Sequence, residues 1–375
     1  MSKLPHVGTT IFTIMSKLAN DVGAINLSQG FPNFPVDEKL VEILRQKSHE
    51  NVHQYMPMSG FPELLTKIGS LIESSYNRTI EPDKELLITA GATQGIFTTI
   101  LALVDQGDEV VILDPSYDCY EPAITLAGGK ANRISLNKEF LPDWDLINAT
   151  VNNNTRMLII NSPHNPSGRV WKMEDMEQLE KLMQKHPKLI LLSDEVYEYI
   201  TFEQKHISIN SIASIRDRSI IISSFGKTFH ITGWKMGYLV APENVMIEIK
   251  KVHQFNVFSV NSVAQAVLST YLDSVDVSTL GAFYQEKRDL FHKLMKPSRF
   301  KLLPCEGTYF QTVDYSDISD LGDVDFCKKL ANDYGVAAIP ISVFNASGKD
   351  QKIIRFCFAK DDETLIKATE LLCKI

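Results

Sequence analysis

Between residues 85 and 242 the chain alternates short, continuous apolar runs with stretches in which apolar residues recur at helical spacing. The apolar runs, with their flanking residues, are ELLITAGAT (85–93), EVVILDP (109–115), KANRISL (130–136), RMLIINSP (156–163), KLILLSDE (188–195), RSIIISSFG (218–226) and YLVAP (238–242). The segments QGIFTTILALV (94–104) and MEDMEQLEKLMQKH (173–186) have the helical pattern. Apolar strands that alternate with helices predict an α/β fold whose largely parallel sheet is covered on both faces.

Polar side chains with useful chemistry follow four of these predicted strands. The segments are Gly91-Ala92-Thr93, Asn161 to Asn165, Asp194 to Tyr197, and Ser224 to Lys227. In open parallel sheets, ligands bind at the carboxyl ends of the strands. We therefore expect the functional site along this edge of the sheet.

A second region begins after a helical stretch that starts near residue 244. There GTYFQTV (307–313) and KIIRFCFA (352–359) are predicted strands, and 323–334 and 361–373 are predicted helices. The chain has 375 residues, and single hydrophobic cores stop growing at about 250–300 residues, which favours two domains. We predict an N-terminal segment (1–44) that joins the small domain, a large domain (45–279), and a small α+β domain (280–375) with antiparallel strands.

Composition narrows the class of protein further. The formal net charge is −8, so there is no basic footprint for nucleic acid. The N-terminus has no continuous apolar segment of a signal peptide, and no apolar run approaches the ~18 residues of a membrane span. The five cysteines form no CxxC pair, which indicates reduced thiols rather than a disulfide framework. We expect a cytoplasmic protein with no membrane partner, no nucleic-acid partner and no metal site.

Lys227 lies in the run SSFGKTFHITGWKMGY (223–238), shortly after the isoleucines Ile220 to Ile222. The GKT at 226–228 imitates the end of a phosphate-binding P-loop, but that motif needs a glycine at position 221, which is isoleucine. Taken alone, Lys227 could be a solvated loop residue. It could also be a nucleophile, since partial burial beside another cation such as Lys235 lowers the pKa of a lysine.

The same run resembles the lysine signature of the class I aminotransferases, which are enzymes of fold type I that depend on pyridoxal 5′-phosphate (PLP). Further matching segments are LSQGFPNFP (27–35), HQYMPMSG (53–60), TAGATQG (89–95), DPSYDCYEP (114–122), NSPHNPSG (161–168), SDEVYEYI (193–200) and IRFCFA (354–359). They occur in the family's order through nearly the whole chain. The resemblance is to the branch that contains kynurenine/glutamine aminotransferases and bacterial methionine aminotransferases.

This resemblance implies a fold, an assembly and a reaction. The large domain would hold a mostly parallel sheet of seven strands between helices, and a smaller α+β domain would follow. Two copies would form a homodimer with active sites at the subunit interface. The reaction would be ping-pong transamination between an L-amino acid and a 2-oxo acid.

The resemblance also assigns roles to cofactor-binding residues. Lys227 would form the Schiff base with PLP and then move the proton between the substrate Cα and the cofactor. Asp194 would hold the proton on the pyridine nitrogen, although from sequence alone it could merely cap the next segment. The 3′-oxygen of PLP would be bound by Asn165 and Tyr197. Tyr117 would stack on the ring, unless it only packs in the core. The expected phosphate ligands are Gly91, Ala92, Thr93, Ser224, Lys235 and, from the neighbouring subunit, Tyr55.

Arg355 is the expected substrate clamp. An arginine inside an apolar strand needs a fixed anion, and the resemblance implies that it binds the substrate α-carboxylate in a bidentate manner. The other expected substrate-binding residues are Gly30, Asn165, Phe31, Tyr309 and, from the partner subunit, Phe258, with His230 as a further candidate. We expect Arg288, on a predicted helix, to be a solvated charge rather than a second clamp. Relatives have histidine after the partner phenylalanine, whereas this chain has Ser259.

An aromatic pocket suits methionine, aromatic amino acids, histidine or glutamine as amino donors. Cysteine-S-conjugate β-lyase activity and kynurenine–oxoglutarate aminotransferase activity are alternatives on the same site. A remote alternative is a non-enzymatic PLP-binding regulatory module, which the lack of an appended helix-turn-helix disfavours. A lyase would release pyruvate and ammonia, whereas transamination yields the matching 2-oxo acid.

Overall fold

The structure is a computed structural model and describes residues 2–375. The helices are α1 (Ile11–Val22), α2 (Glu38–Lys47), α3 (Pro62–Tyr76), α4 (Pro82–Glu85), α5 (Gly91–Leu103), α6 (Tyr120–Ala127), α7 (Trp144–Thr150), α8 (Met173–Lys185), α9 (Phe225–Thr228), α10 (Glu243–Asn256), α11 (Ser262–Tyr271), α12 (Leu280–Met295), α13 (Asp323–Tyr334) and α14 (Asp362–Leu372). The strands are β1 (Ile25–Asn26), β2 (Leu86–Thr89), β3 (Glu109–Asp114), β4 (Lys130–Ser135), β5 (Thr155–Asn161), β6 (Ile190–Asp194), β7 (Ser219–Ser223), β8 (Gly237–Val240), β9 (Lys301–Leu302), β10 (Phe310–Asp314), β11 (Val336–Ala337), β12 (Ile339–Pro340) and β13 (Ile353–Cys357).

The large sheet has seven strands in the order β2-β8-β7-β6-β5-β3-β4. Strand β8 runs antiparallel to β2 and β7, and the remaining pairs are parallel. Every residue of β6 and β7 is buried. Ile220 and Ile222 pack into one core and Ile221 into the other, as expected for strands with helices on both faces. The predicted α/β fold with a mostly parallel sheet of seven strands is confirmed.

The smaller sheet is antiparallel, with the strand order β12-β13-β10-β9. The N-terminal segment joins this part of the molecule because β1 pairs in parallel with β11, with Ile25 opposite Val336. Helix α2 behaves differently, since its residues Leu40 and Ile43 lie in the same core as Leu268 of α11. We therefore propose that the N-terminal segment ends before residue 38 rather than at 44.

The carboxyl ends of β5, β6 and β7 meet at one edge of the large sheet. The register places Asn161 opposite Asp194, and Asp194 opposite Ile222. The nearby end of β2 leads into α5. The polar segments that follow these strands are therefore brought together, as predicted from the sequence.

Arg288 is not the solvated helix charge that the sequence predicted. Its side chain is 8% exposed, and its Nη2 lies 2.6 Å from Glu203 Oε1 and 2.8 Å from Asp289 Oδ1. Its Nη1 also donates to the carbonyl of Cys305 at 3.0 Å. The guanidinium is buried at low cost because each of these partners satisfies its donors.

Within the described chain, no helix combines the length and the apolar character needed to cross a membrane.

Candidate active site

A cavity of about 150 Å³ opens at the carboxyl edge of the large sheet. Its lining residues are Gly91, Ala92, Thr93, Ile96, Tyr117, Asn161, Asn165, Asp194, Val196, Tyr197, Ser224, Gly226, Lys227, Thr232, Lys235 and Met236. All the expected cofactor-binding residues except Tyr55 are among them. The cavity thus collects side chains from loops that are more than a hundred residues apart in sequence.

Lys227 lies on α9, a single helical turn that follows β7 directly. Its Nζ donates to the carbonyl oxygen of Gly30 at 3.1 Å and lies 5.7 Å from the ring centroids of both Tyr197 and Tyr309. Burial, with a smaller contribution from the positive charge of Arg355, lowers the pKa of Lys227 to about 8. A larger fraction of this amine is therefore neutral at physiological pH than for a solvated lysine.

Asp194 ends β6 with its carboxylate buried beside the cavity. Its Oδ2 accepts a hydrogen bond from the Tyr120 hydroxyl at 2.7 Å, and its backbone carbonyl accepts one from Asn161 Nδ2 at 2.8 Å. Burial raises the pKa of Asp194 to about 6, while the bond from Tyr120 lowers it. A cationic ring nitrogen placed against Asp194 would compensate for this burial.

Tyr120 and Asn161 were not expected from the sequence as site residues, although both position Asp194. Tyr120 begins α6, three residues after Tyr117, and their rings meet edge to face at 5.8 Å. The Asn161 side chain also accepts a hydrogen bond from the backbone N–H of Asn165 at 2.8 Å. The available signals were the three-residue spacing in DPSYDCYEP and the repeated asparagine in NSPHNPSG.

Tyr197 is buried on the same side of the cavity as Lys227. Its ring packs edge to face against Tyr309 with a centroid distance of 5.2 Å. Burial raises the pKa of Tyr197, so its phenol stays protonated and can donate a hydrogen bond to an anionic oxygen.

The N-terminus of α5 has the features of an anion-binding site. Gly91 begins the helix with a φ of +77°, and the preceding Ala90 supplies no side-chain cap. A Cβ on Gly91 would lie only 3.4 Å from Lys235 Nζ, and a Cβ on Gly237 would lie 3.1 Å from the backbone nitrogen of Ala92. Uncapped N–H groups beside an ammonium group fit a phosphate dianion.

Arg355, on β13, is buried and is not among the residues that line the cavity, but it contacts the lining residue Asn165. Among the described residues it pairs with no carboxylate, unlike Arg133 and Arg288. Its Nη1 donates to Asn165 Oδ1 at 2.7 Å, and its Nη2 donates to the carbonyl of Ser28 at 3.2 Å. The guanidinium lies 3.8 Å above the ring of Phe310, and its buried Nε has no hydrogen-bond partner. A buried cation with neutral partners is well suited to bind a substrate carboxylate.

Gly30 also lies outside the cavity lining, and its carbonyl oxygen contacts Lys227. Its carbonyl also accepts a hydrogen bond from the Tyr309 hydroxyl at 2.7 Å. A Cβ at this position would lie 2.8 Å from the Phe310 ring, so the backbone can approach only as glycine. Tyr309 is fully buried and does not line the cavity; it therefore acts on the cavity through Gly30.

The remaining expected site residues also lie outside the cavity in the single chain. Tyr55 and Phe258 are 81% and 48% exposed and pack edge to face with each other at 5.3 Å. Phe31 is 45% exposed. His230 packs against Phe34 at a ring distance of 4.8 Å, in an aromatic cluster with Tyr284 that lies beside Tyr309.

The site therefore combines an amine of lowered pKa, a buried carboxylate, an anion site and an unpaired guanidinium. These groups match the aldehyde, ring nitrogen and phosphate of PLP and the carboxylate of an amino acid, so the residues fit this cofactor and this class of substrate.

Comparisons with known proteins agree with this chemistry. Residues 22–372 match the family described as aminotransferase class I and II. Methionine aminotransferase of Escherichia coli is 46% identical over 375 residues, which cover 99% of this chain and 97% of that protein. Human kynurenine–oxoglutarate transaminase 3 is 32% identical and is matched over 99% of this chain and 89% of its own length.

Solved structures give the same result. An E. coli protein reported to have a methionine aminotransferase function superimposes with a TM-score of 0.98 at 46% identity, over 100% of this chain and 99% of that one. N-succinyldiaminopimelate aminotransferase from Mycobacterium tuberculosis follows with a TM-score of 0.94 at 31% identity, over 100% and 99% of the two chains. The chain therefore belongs to the class I and II aminotransferases and has the type I fold of PLP-dependent enzymes.

Proposed function

We propose that this protein binds PLP and transfers the amino group of an L-amino acid, with methionine as a preferred donor, to a 2-oxo acid. The observation that carries this proposal is the cavity in which Lys227, Asp194 and the α5 N-terminus face one another. The preference for methionine rests on the 46% identity to the E. coli methionine aminotransferase.

Bound PLP would supply an electron-withdrawing ring that stabilises negative charge at the substrate Cα. Asp194 would keep the ring nitrogen protonated, and Asn165 and Tyr197 would bind the 3′-oxygen. The phosphate would be bound by the backbone of Gly91, Ala92 and Thr93 together with Ser224 and Lys235. Tyr117 would pack against the ring.

Lys227 would accept the proton from the substrate Cα. The pKa of about 8 leaves part of this amine neutral near pH 7, and a base of that strength can also return the proton. Arg355 would hold the substrate α-carboxylate with two parallel hydrogen bonds, so that the Cα–H points toward Lys227.

The charges at the cavity favour an amino donor with an uncharged side chain. The charged residues that line it are Asp194, Lys227 and Lys235, and each already has a role toward the cofactor. Arg288 is paired with Glu203 and does not reach the cavity. Methionine, aromatic amino acids, histidine and glutamine therefore fit better than aspartate.

Two alternatives use the same residues. The 32% identity to a human kynurenine–oxoglutarate transaminase supports kynurenine as a second donor. Ser259, which replaces the histidine of that branch, donates to the carbonyl of Met56 at 3.0 Å and is not free to bind substrate. A β-lyase would need a leaving group on the substrate Cβ, and its release of pyruvate and ammonia distinguishes it from an aminotransferase.

A panel of amino acids tests the proposed donor class. We expect methionine and phenylalanine to convert the PLP-loaded protein to its pyridoxamine form in a single turnover, with loss of the absorbance of the bound aldehyde. Aspartate should react far more slowly, because no free cation lines the cavity to bind its second carboxylate. Faster conversion by aspartate than by methionine would contradict the proposed preference, and pyruvate release would identify the lyase.

We also propose that two copies form a homodimer with shared active sites. Tyr55, Phe258 and Phe255 are large apolar residues that stay exposed in the single chain, and Phe255 is 87% exposed. Exposed apolar surface of this kind marks protein interfaces. A partner's Tyr55 would then complete the phosphate site, and its Phe258 would cover the substrate.

Hybrid dimers test this arrangement. We expect Tyr55→Ala and Lys227→Ala proteins to be weakly active or inactive alone, and a refolded mixture of the two to regain activity. A hybrid dimer contains one site in which both Lys227 and the opposite chain's Tyr55 are intact. A mixture no more active than the sum of its components would rule out the shared site, and refolded wild type is the control for recovery.

The cytoplasm is our proposed location. All five cysteines are free thiols in the structure, and four of them are buried. Free thiols persist in a reducing compartment.

A further inference from the structure

A cluster of buried ionisable side chains lies behind the turn that carries Asp194 and Tyr197. We call it the rear carboxyl cluster; its members are Tyr76, Glu195, Glu198, His206 and Tyr238. Neither carboxyl group is on the lining of the cavity, yet Glu195 is 0% and Glu198 is 5% exposed. No step of the proposed reaction uses these groups.

Glu195 is held by three donors. Its Oε1 accepts from the Ser193 hydroxyl at 2.8 Å and from the backbone N–H of Ile209 at 3.0 Å, and its Oε2 lies 2.8 Å from His206 Nε2. The buried Nδ1 of His206 has no hydrogen-bond partner, which favours the tautomer with the proton on Nε2. The carboxylate is thus fully satisfied and fixed in place.

Glu198 is held by two phenols from different elements. The hydroxyl of Tyr76, from the end of α3, donates to Oε2, and the hydroxyl of Tyr238, from β8, donates to Oε1 at 3.3 Å. Burial raises the pKa of Glu198 to about 7; the bond from Tyr76 lowers it, and the neighbouring charge of Glu195 raises it. The other groups near this carboxyl are Ser223 and His206.

The turn itself places these side chains on opposite sides. The backbone N–H of Glu198 donates to the carbonyl of Glu195 at 2.8 Å, and the N–H of Glu195 donates to Ile222 of β7 at 2.9 Å. Asp194 and Tyr197 line the cavity, whereas Glu195 and Glu198 do not. Glu198 instead contacts Tyr238, which packs in the same core as Ile221. Each residue that faces the cavity therefore has a carboxyl neighbour anchored behind it.

Stability alone is a poor reason for such a cluster. Burying carboxyl groups is costly, and apolar side chains of similar volume often stabilise a fold equally well or better. Fixed geometry is a better reason, because a cofactor site works only when its groups are held within a fraction of an ångström.

We propose that Glu195 and Glu198 are positioning residues, which hold Asp194 and Tyr197 in the geometry that binds PLP. This inference rests on the proposed function, because it takes PLP as the ligand of the cavity. Loss of either carboxyl frees the turn, so the affinity for PLP falls even though no group in contact with the cofactor has changed.

The test measures PLP affinity with the cofactor-free protein. We expect Glu195→Ala and Glu198→Ala to raise the dissociation constant for PLP at least tenfold, as followed by absorbance or tryptophan fluorescence. Glu195→Gln and Glu198→Gln, which keep the shape and most hydrogen bonds, should restore it to within a few-fold of wild type. The matched control is Glu177→Gln, which changes an exposed carboxylate on α8 and should have no effect.

A second measurement separates positioning from folding. The unfolding temperature of each cofactor-free variant shows whether it is folded, and the pH midpoint of the absorbance change of the PLP-loaded protein reports on the groups around Lys227. We expect this midpoint to shift in the alanine variants and not in the glutamine variants. If an alanine variant does not fold, Tyr76→Phe, which removes one hydrogen bond from Glu198, should still weaken PLP binding measurably.

Three outcomes have different meanings. Folded alanine variants, or a folded Tyr76→Phe variant, with wild-type affinity and midpoint would overturn the positioning role and leave the proposed function intact. A wild-type protein that binds no PLP would overturn both, and this result is read from the wild type alone. A wild type that binds PLP but transaminates no amino acid would defeat only the proposed function.

Discussion

Replacement of Lys227 by alanine is expected to abolish transamination and to prevent covalent attachment of PLP. The proton transfer that this amine would perform is worth about 10²–10⁴-fold in rate, and the covalent contribution is lost in addition. Steady-state turnover with methionine measures the first effect. Borohydride reduction followed by mass spectrometry measures the second, because it fixes the cofactor on the lysine of the wild type.

Lys227→Arg is the matched control for this prediction. It keeps a positive charge beside Gly30, but a guanidinium is not deprotonated in proteins, so it cannot act as a base. We expect it to be as inactive as the alanine variant while it unfolds close to the wild-type temperature. A Lys227→Ala protein with near-normal turnover, or cofactor mass fixed elsewhere in the wild type, would remove the basis of the proposed mechanism.

Arg355→Ala should give the second large effect, mainly on KM for amino acids. Removing one partner of a buried, hydrogen-bonded charge pair costs about 2–5 kcal/mol, so kcat/KM for methionine should fall by about 30-fold to several thousand-fold at 1.4 kcal/mol per factor of ten. The loss arises because the α-carboxylate would enter the site without the guanidinium that binds it. It would also lie beside the oxygen atoms of Asn165 and Ser28, which lose their donor in this variant.

The comparison substrate is the amine that corresponds to methionine without its carboxyl group. Its slow reaction should be nearly unchanged by Arg355→Ala, since it has no group for the guanidinium to bind. Arg355→Lys should recover part of the loss as a point charge without the bidentate geometry. Equal losses for methionine and for the amine would show that Arg355 supports the fold rather than the substrate.

Most strands and the central groups of the site could be predicted from the sequence. The buried strands of a parallel sheet are continuous apolar runs, so β5, β6 and β7 were recognisable, and the residues just after them had to lie at one edge. Lys227 and Asp194 follow such strands directly. The structure places both on the cavity. The lowered pKa of Lys227 is the shift that a base requires, whereas burial raises the pKa of Asp194, and a cationic ring nitrogen beside it would offset this effect.

Element ends and long-range partners could not be predicted. The predicted helix at residue 94 begins at Gly91, because only the positive φ of that glycine allows the chain to turn from β2 into α5 there. Arg288 looked like a surface charge because its partner Glu203 is 85 residues away. Tyr120 was missed for the same reason, since its partner Asp194 lies 74 residues further along.

The pairing of the N-terminal segment with the small sheet has a consequence for substrate choice. The carbonyl of Leu27 accepts a hydrogen bond from the backbone N–H of Cys357 at 2.8 Å. Gly30 and Arg355 therefore belong to the side of the site formed with the small sheet, whereas Lys227 and Asp194 belong to the side formed by the large sheet. The bonds from Lys227 to Gly30 and from Arg355 to Asn165 span the gap between them. An α-amino acid whose carboxyl group binds Arg355 and whose amino group reacts at Lys227 would therefore contact both sides of the site at once.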